Sequence, residues 1–249
     1  MSYNAFSSVY DSLMQGADYK ARTEYLLNIF NKFGKMPTLL LDVACGTGSF
    51  SVELAKSGIQ VIGADPSPEM LAVAKEKAEN SGQDILFLCQ AAQELDLYGT
   101  VNGAVCCMDS INHITNYKTL VKAFKKISLF LEPDCLFVFD VNTVYKHKTV
   151  LGNNTFVLEE DNVFCTWQNN TNNKTLTTEI TLDFFTKNGK NYVRTTESFC
   201  ERAYTKQQLN KALTAAGFKI EAIYGENTFN PPKPYEQRVV YVLRKVNNG

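Results

Sequence analysis

The sequence predicts an α/β fold in which a mostly parallel sheet carries helices on both faces and an antiparallel β insert follows the fifth strand. Three observations lead there. From residue 38 to residue 140, short apolar runs alternate with helically spaced ones, as crossover connections between parallel strands require. One apolar run, residues 39–44, leads straight into a glycine turn at Gly46 and Gly48. After Val144 the period changes to long runs rich in Asn, Thr and aromatic residues, which suit an antiparallel sheet.

In chain order, strands are expected at 39–44, 60–64, 85–89, 101–108 and 135–141. Helices fall between them at 68–80, where Met70, Leu71, Ala74 and Ala78 share one face, and at 116–131, where Leu120, Phe124, Ile127 and Leu131 do. The insert offers runs at 162–168, 176–186 and 192–203. Asn188-Gly189 between the last two suits the positive φ angles of a tight hairpin. Thr205 then caps a helix that stops at Gly217, and strand character returns at 218–224 and 239–244. Two parts result: a core of residues 1–144 and 204–249, and an insert of residues 145–203 placed to cover a substrate.

Composition narrows the function. The 249 residues suit one elaborated domain, and no apolar run approaches the ~20 residues of a membrane helix. Twenty-five Lys and Arg balance 26 Asp and Glu, so the basic excess of a nucleic-acid binder is missing. Met1-Ser2-Tyr3-Asn4 does not read as a signal peptide, which points to the cytoplasm. The seven cysteines show no CxxC spacing and read as reduced core thiols, with Cys106 and Cys107 on opposite faces of a strand. No metal site is expected, and the oligomeric state is left open.

The chemistry concentrates where residues 39–50, LLLDVACGTGSF, turn from strand to helix. Glycines there let a ligand approach the backbone, and Asp65 ends the next strand with two oxygens spaced for the cis-diol of a ribose. A dinucleotide fingerprint needs a third glycine for helix packing, but that position is Ser51. Asp42, just before the turn, repels a pyrophosphate and favours a cation. S-adenosylmethionine, with a sulfonium, an ammonium group, a ribose and no phosphate, fits better than NAD. An NAD-type oxidoreductase and a non-catalytic S-adenosylmethionine-binding protein are the alternatives.

At these residues the sequence resembles the class I S-adenosylmethionine-dependent methyltransferases. Asp42-Val-Ala-Cys-Gly-Thr-Gly48 resembles the first family motif, with Ala44 in place of the usual first glycine, and residues 63–71 resemble the second. The resemblance implies a Rossmann-like seven-stranded sheet with an antiparallel last strand. It also implies a cofactor site drawn from Asp42, Ala44, Cys45, Gly46 and Gly48, from Asp65 on the ribose, and from Pro66 and Met70 at the adenine, with Met108 closing the site from a neighbouring strand. An adenine-binding Asp is replaced here by Ala91, so that end falls to the backbone of Ala91 and Ala92 and to Gln93.

Residues 107–114 and Val9-Tyr10-Asp11 and Asp18-Tyr19 are similar to the amino-sugar N-methyltransferases of that class. By that resemblance Tyr10 and His113 border a small-molecule acceptor and act in catalysis, and Tyr19 meets the methionine end of the cofactor. His113 alternatively caps the helix after it, and His147 is expected on the surface. Asp109, Asn112, Asp140 and Asn142 either hold substrate or shape turns. Trp167, Phe184, Phe185 and Tyr192 line a pocket or fill a core.

Overall fold

The computed structural model describes residues 18–160 and 163–246, so Tyr10 lies outside the described residues. The chain opens with α1 (Tyr19–Lys32), capped by the Asp18 side chain, which accepts from Ala21 N. Then follow β1 (Leu39–Val43), α2 (Ser49–Lys56), β2 (Gln60–Ala64), α3 (Pro68–Asn80), β3 (Leu86–Leu88), β4 (Val101–Cys106), α4 (Tyr117–Phe130) and β5 (Leu131–Asn142). The insert carries β6 (Thr155–Glu160), β7 (Val163–Asn172), β8 (Thr177–Asn188) and β9 (Asn191–Arg202). The core resumes with α5 (Lys206–Ala215), β10 (Phe218–Gly225) and β11 (Arg238–Lys245).

Seven strands form one sheet in the order β10-β11-β5-β4-β1-β2-β3. Strand β11 runs antiparallel to both β5 and β10, while β1 pairs in parallel with both β2 and β4. The chain therefore reverses its direction of travel at β1, and a crevice opens beyond the carboxyl ends of β1 and β4. The pleat sends alternate side chains to two cores. Leu41, Val43, Cys106, Phe137 and Phe139 meet α4 and α5 on one face, through Leu120, Phe124 and Leu213. Leu40, Val105, Cys107, Leu136 and Val138 meet α1 and α2 on the other, through Ile29, Phe30 and Leu54. Adjacent Cys106 and Cys107 do face opposite ways, and all seven cysteines are free.

The insert is a separate antiparallel sheet, β6-β7-β8-β9, with a small core of Val163, Cys165, Ile180, Leu182 and Phe184. Of the four aromatics weighed above, Phe184 is fully buried there, Trp167 packs against that core, and Tyr192 is exposed. The Asn188-Gly189 turn closes the β8–β9 hairpin as its sequence demands, with Gly189 at φ 61°. Thr205 forms a reciprocal capping box with Gln208 at the start of α5.

Several expectations change. Helix α1 and strand β6 were not foreseen. Strand β4 stops at Cys106 rather than 108, because Met108 and Asp109 take left-handed φ angles of 57° and 52° that no strand accommodates. His147 is not on the surface but wholly buried, on one turn of π-helix (Lys146–Leu151) directly after β5. Among the described residues, no helix is long and apolar enough to cross a membrane.

Candidate active site

The turn after β1 is built from three left-handed residues, Ala44 (φ 57°), Gly46 (φ 54°) and Gly48 (φ 72°). Their reasons differ. A Cβ at Gly46 would meet nothing within 4 Å, so its face is open to a ligand. A Cβ at Gly48 would stand 2.8 Å from Ala74 Cβ on α3, so that glycine serves helix packing and not the ligand side expected for it. Two outcomes follow, to be read by thermal unfolding and by calorimetric titration with cofactor. Gly48→Ala combines the left-handed strain of about 1–2 kcal/mol with that collision and lowers stability most. Gly46→Ala carries the strain alone, leaves the fold in place and blocks binding.

The turn lines a cleft of about 180 Å³ with Tyr19, Asp42, Ala44, Cys45, Gly46, Asp65, Pro66, Met70, Met108 and His113, all expected from the sequence. Thr47, Ser49, Phe50, Cys107 and Ser110 complete it and were not foreseen. Tyr19, at the start of α1, packs edge-on against Phe50 with ring centres 5.2 Å apart. Ala91, Ala92 and Gln93 lie on the turn after β3, with Ala92–Glu94 forming a short 3-10 helix, and are not part of the cleft wall. Gly48 is absent from the wall too.

Asp65 is buried, and burial pushes its carboxyl up, against the pull of two backbone donors. Gly46 N–H donates to Oδ2 at 3.0 Å and Ser67 N–H to Oδ1 at 2.9 Å. Each oxygen keeps a lone pair for a further donor, as a diol requires. Asp42 is more deeply buried. Burial raises it to about 7, with Asp65 adding to the shift and the Ser51 hydroxyl, 2.6 Å from Oδ2, opposing it. Ser51, in the place of a dinucleotide glycine, is thus a partner for Asp42, a role the loop spacing alone did not reveal.

Across the cleft, the strained Met108–Asp109 turn is clamped from β5. Asp140 accepts Met108 N–H at 2.9 Å and Asp109 N–H at 2.6 Å. Asp109 in turn pairs with Arg238 of β11 at 2.8 Å and accepts from the Asn142 amide. Burial opposes ionisation of Asp109, yet Arg238, Lys146, His113 and the Asn142 amide hold it below the usual carboxylate range. Asn112 is buried, accepting from Asn142 N and donating to the carbonyls of Asn142 and Arg202. These four polar residues therefore shape the turn. Arg238 was missed; its only signal is a cation opening an apolar strand. His113 comes next along the chain, with its side chain 33% exposed and its ring stacked on Phe199 of β9 at 5.1 Å.

Among the described residues, two carboxylates line the cleft, and no Lys or Arg does. With an open glycine face at the switch point, that donor set suits a cationic, phosphate-free nucleoside and rejects a pyrophosphate. A sheet and cleft of this kind define an α/β enzyme that works with S-adenosylmethionine.

Known proteins agree. The methyltransferase-domain family matches residues 40–134. YqeM of Bacillus subtilis (strain 168), named as a methyltransferase, is 31% identical over 98% of both chains. The crystal structure of an S-adenosylmethionine-dependent methyltransferase from Clostridium acetobutylicum superposes with a TM-score of 0.90 at 29% identity, covering 98% of this chain and 99% of that one. The sugar N-methyltransferase KedS8 of Streptoalloteichus shares the fold, with a TM-score of 0.76, 20% identity and coverage of 95% and 93%. The chain belongs to the class I S-adenosylmethionine-dependent methyltransferases, and the NAD reading falls.

Proposed function

We propose that this enzyme methylates a small-molecule acceptor, an amine in the first instance, with His113 as the base and with Tyr10 bordering the acceptor. The observation that carries the reading is His113 itself, among the described residues the only imidazole in the wall of a cleft that otherwise offers carboxylates, thiols and a phenol. Balanced charge and the sugar N-methyltransferase KedS8 among the structural neighbours support a small acceptor.

S-adenosylmethionine supplies a methyl carbon on a sulfonium: the acceptor lone pair bonds to that carbon, the C–S pair stays on sulfur, and the acceptor proton must leave. The protein's tasks are alignment, exclusion of water and acceptance of that proton. Asp65 and the open Gly46 face hold the nucleoside, Pro66 and Met70 flank the base together with the 91–93 turn, and Asp42, Tyr19 and Met108 address the methionine end. The core of residues 1–144 and 204–249 binds the cofactor, while the insert of residues 145–203 selects the acceptor.

The test is transfer of a labelled methyl group from S-adenosylmethionine to the small-molecule fraction of a cell extract, with the labelled product then tested for a new N–CH3 group. Transfer only to protein or nucleic acid overturns the reading. In the same assay His113→Ala slows turnover by roughly 10²–10⁴-fold, the usual contribution of a general base, and leaves cofactor affinity within about threefold. Unchanged turnover removes His113 from the mechanism.

Asp42 gives a pH signature. Its carboxyl titrates near 7 in the free enzyme, and a nearby ligand cation favours the anion. Affinity for S-adenosylmethionine therefore rises as pH increases from 6 to 8, whereas affinity for uncharged adenosine stays flat; Asp42→Asn flattens the S-adenosylmethionine curve. The folded state takes up the Asp42 proton more readily than the unfolded chain does. Its contribution to stability is thus complete below about pH 4 and fades as pH rises through 7.

A further inference from the structure

The only two histidines of the chain, His113 and His147, converge on one carboxylate of the insert sheet, Glu201. Glu201 Oε1 lies 3.7 Å from His113 Nε2, and Oε2 lies 3.6 Å from His147 Nε2. Glu201 and His147 are buried, and among the described residues neither Glu201 Oε2 nor His147 Nε2 has a hydrogen-bond partner. An unpaired buried carboxyl oxygen and an unpaired imidazole nitrogen facing one another need a physical reason.

Strand register supplies it. Glu201 on β9 stands directly opposite Thr178 on β8, and Thr178 Oγ1 is 2.8 Å from His147 Nδ1. The threonines then set the tautomer. Thr171 Oγ1 donates to the His147 carbonyl, so in its 2.8 Å contact with Thr178 Oγ1 it must accept. Thr178 has then spent its proton and accepts from His147 Nδ1–H. His147 Nε2 is left with a lone pair facing Glu201 Oε2, and two buried lone pairs facing one another repel unless one of the two groups carries a proton. One proton, carried by either partner across the 3.6 Å gap, removes that repulsion. On its other side, Glu201 faces the histidine that borders the cleft.

We propose that Glu201 is a positioning residue for methyl transfer: ionised, it stabilises the imidazolium formed when His113 takes the acceptor proton at Nε2, and protonated towards His147, it withdraws that support. This rests on the reading of His113 as the base. The proton balance closes without a further reactant, since the proton that leaves the acceptor arrives on His113 and the charge it creates is met by the carboxylate.

The groups packed around Glu201 set the condition for this switch. Burial raises its carboxyl to about 8, with Asp109 adding to the shift and Lys146, the Asn142 amide and Arg238 opposing it. Burial lowers both histidines, His147 to about 4 with help from Lys146, while Asp109 pulls each of them back up. At neutral pH the shared proton therefore sits on Glu201, and support for His113 grows as pH rises through 8.

Two histidines make the test direct. Their imidazole NMR signals are assigned with His113→Asn and His147→Asn and followed against pH, with no acceptor added. In the wild-type protein both rings shift near pH 8, in addition to their own protonation. Glu201→Gln abolishes that step, and Glu201→Asp retains it with a moved midpoint. In the labelled-methyl assay, turnover of the wild type climbs between pH 7 and 9. Glu201→Gln is at least tenfold slower at pH 8.5 and loses the limb, while cofactor dissociation constants stay within twofold because Glu201 is not in the cleft wall. Wild-type rings without a step near pH 8, or Glu201→Gln turnover matching wild type across the profile, overturn the proposal. The NMR result needs no acceptor, so its failure counts against Glu201 alone, whereas wild-type protein that transfers no methyl group counts against the proposed function.

Discussion

Asp65→Ala raises the dissociation constant for S-adenosylmethionine by at least about thirtyfold, measured by calorimetry at neutral pH. The expected magnitude follows from the bonds at stake. Hydrogen bonds to a charged group contribute about 1.5–3 kcal/mol each, two are available to a ribose diol, and thirtyfold corresponds to only ~2 kcal/mol. The carboxylate also holds Gly46 N–H and Ser67 N–H, so its removal releases the glycine turn on one side and the start of α3 on the other. Asp65→Asn distinguishes these losses, because it keeps the shape but turns one acceptor into a donor against a backbone N–H. It should fall between wild type and alanine in stability and lie near alanine in affinity. A dissociation constant within threefold of wild type in both variants shows that the cofactor's sugar is held elsewhere.

Arg238→Met has the larger effect on the fold. Arg238 is buried between Asp109 at 2.8 Å, Asp140 at 3.5 Å and Glu226 at 3.7 Å. Removing one member of a buried ion-pair cluster costs about 3–5 kcal/mol, because the remaining charges stay desolvated and repel one another. Urea unfolding at pH 7.5 should show that loss with an unchanged m value. The sign of its pH dependence is fixed as well: Asp109 is held below the usual range mainly by Arg238, so its contribution exists above its unfolded value and disappears as pH falls through the folded one. Wild type and variant therefore converge in acid. A gap that persists at pH 3 would mean that lost packing, not charge, accounts for the effect.

How much of this was legible in the sequence depends on whether the signal was local. Glycine turns, the acid ending β2 and the capped helices are encoded in runs of a few residues, and Asp42, Gly46, Asp65, Pro66 and Met70 all line the cleft. The hairpin at Asn188-Gly189 and the Thr205 cap are local in the same way. What could not be read is set by pairing at long range. Arg238 meets Asp109 across 129 residues, and Glu201 faces His113 across 88 and His147 across 54. Nothing near position 147 signals burial; His147 is interior because the turn after β5 tucks under the insert sheet. Gly48 shows the opposite failure. Its motif was correctly placed, but its hydrogen faces Ala74 and not the cleft.

The place of β11 has a consequence for how the enzyme comes into being. Strand β11 fills the gap between β5 and β10, and its first residue, Arg238, neutralises the Asp109 and Asp140 carboxylates at the rim of the cleft. Ninety-five residues, the whole insert sheet among them, separate the end of β5 from Arg238, so until β11 has been made and has docked, the β5 edge stays open and two acids stay uncompensated. The rim of the cleft is therefore completed by a strand far along the chain from the turn it braces, and cofactor binding reports that β11 has docked.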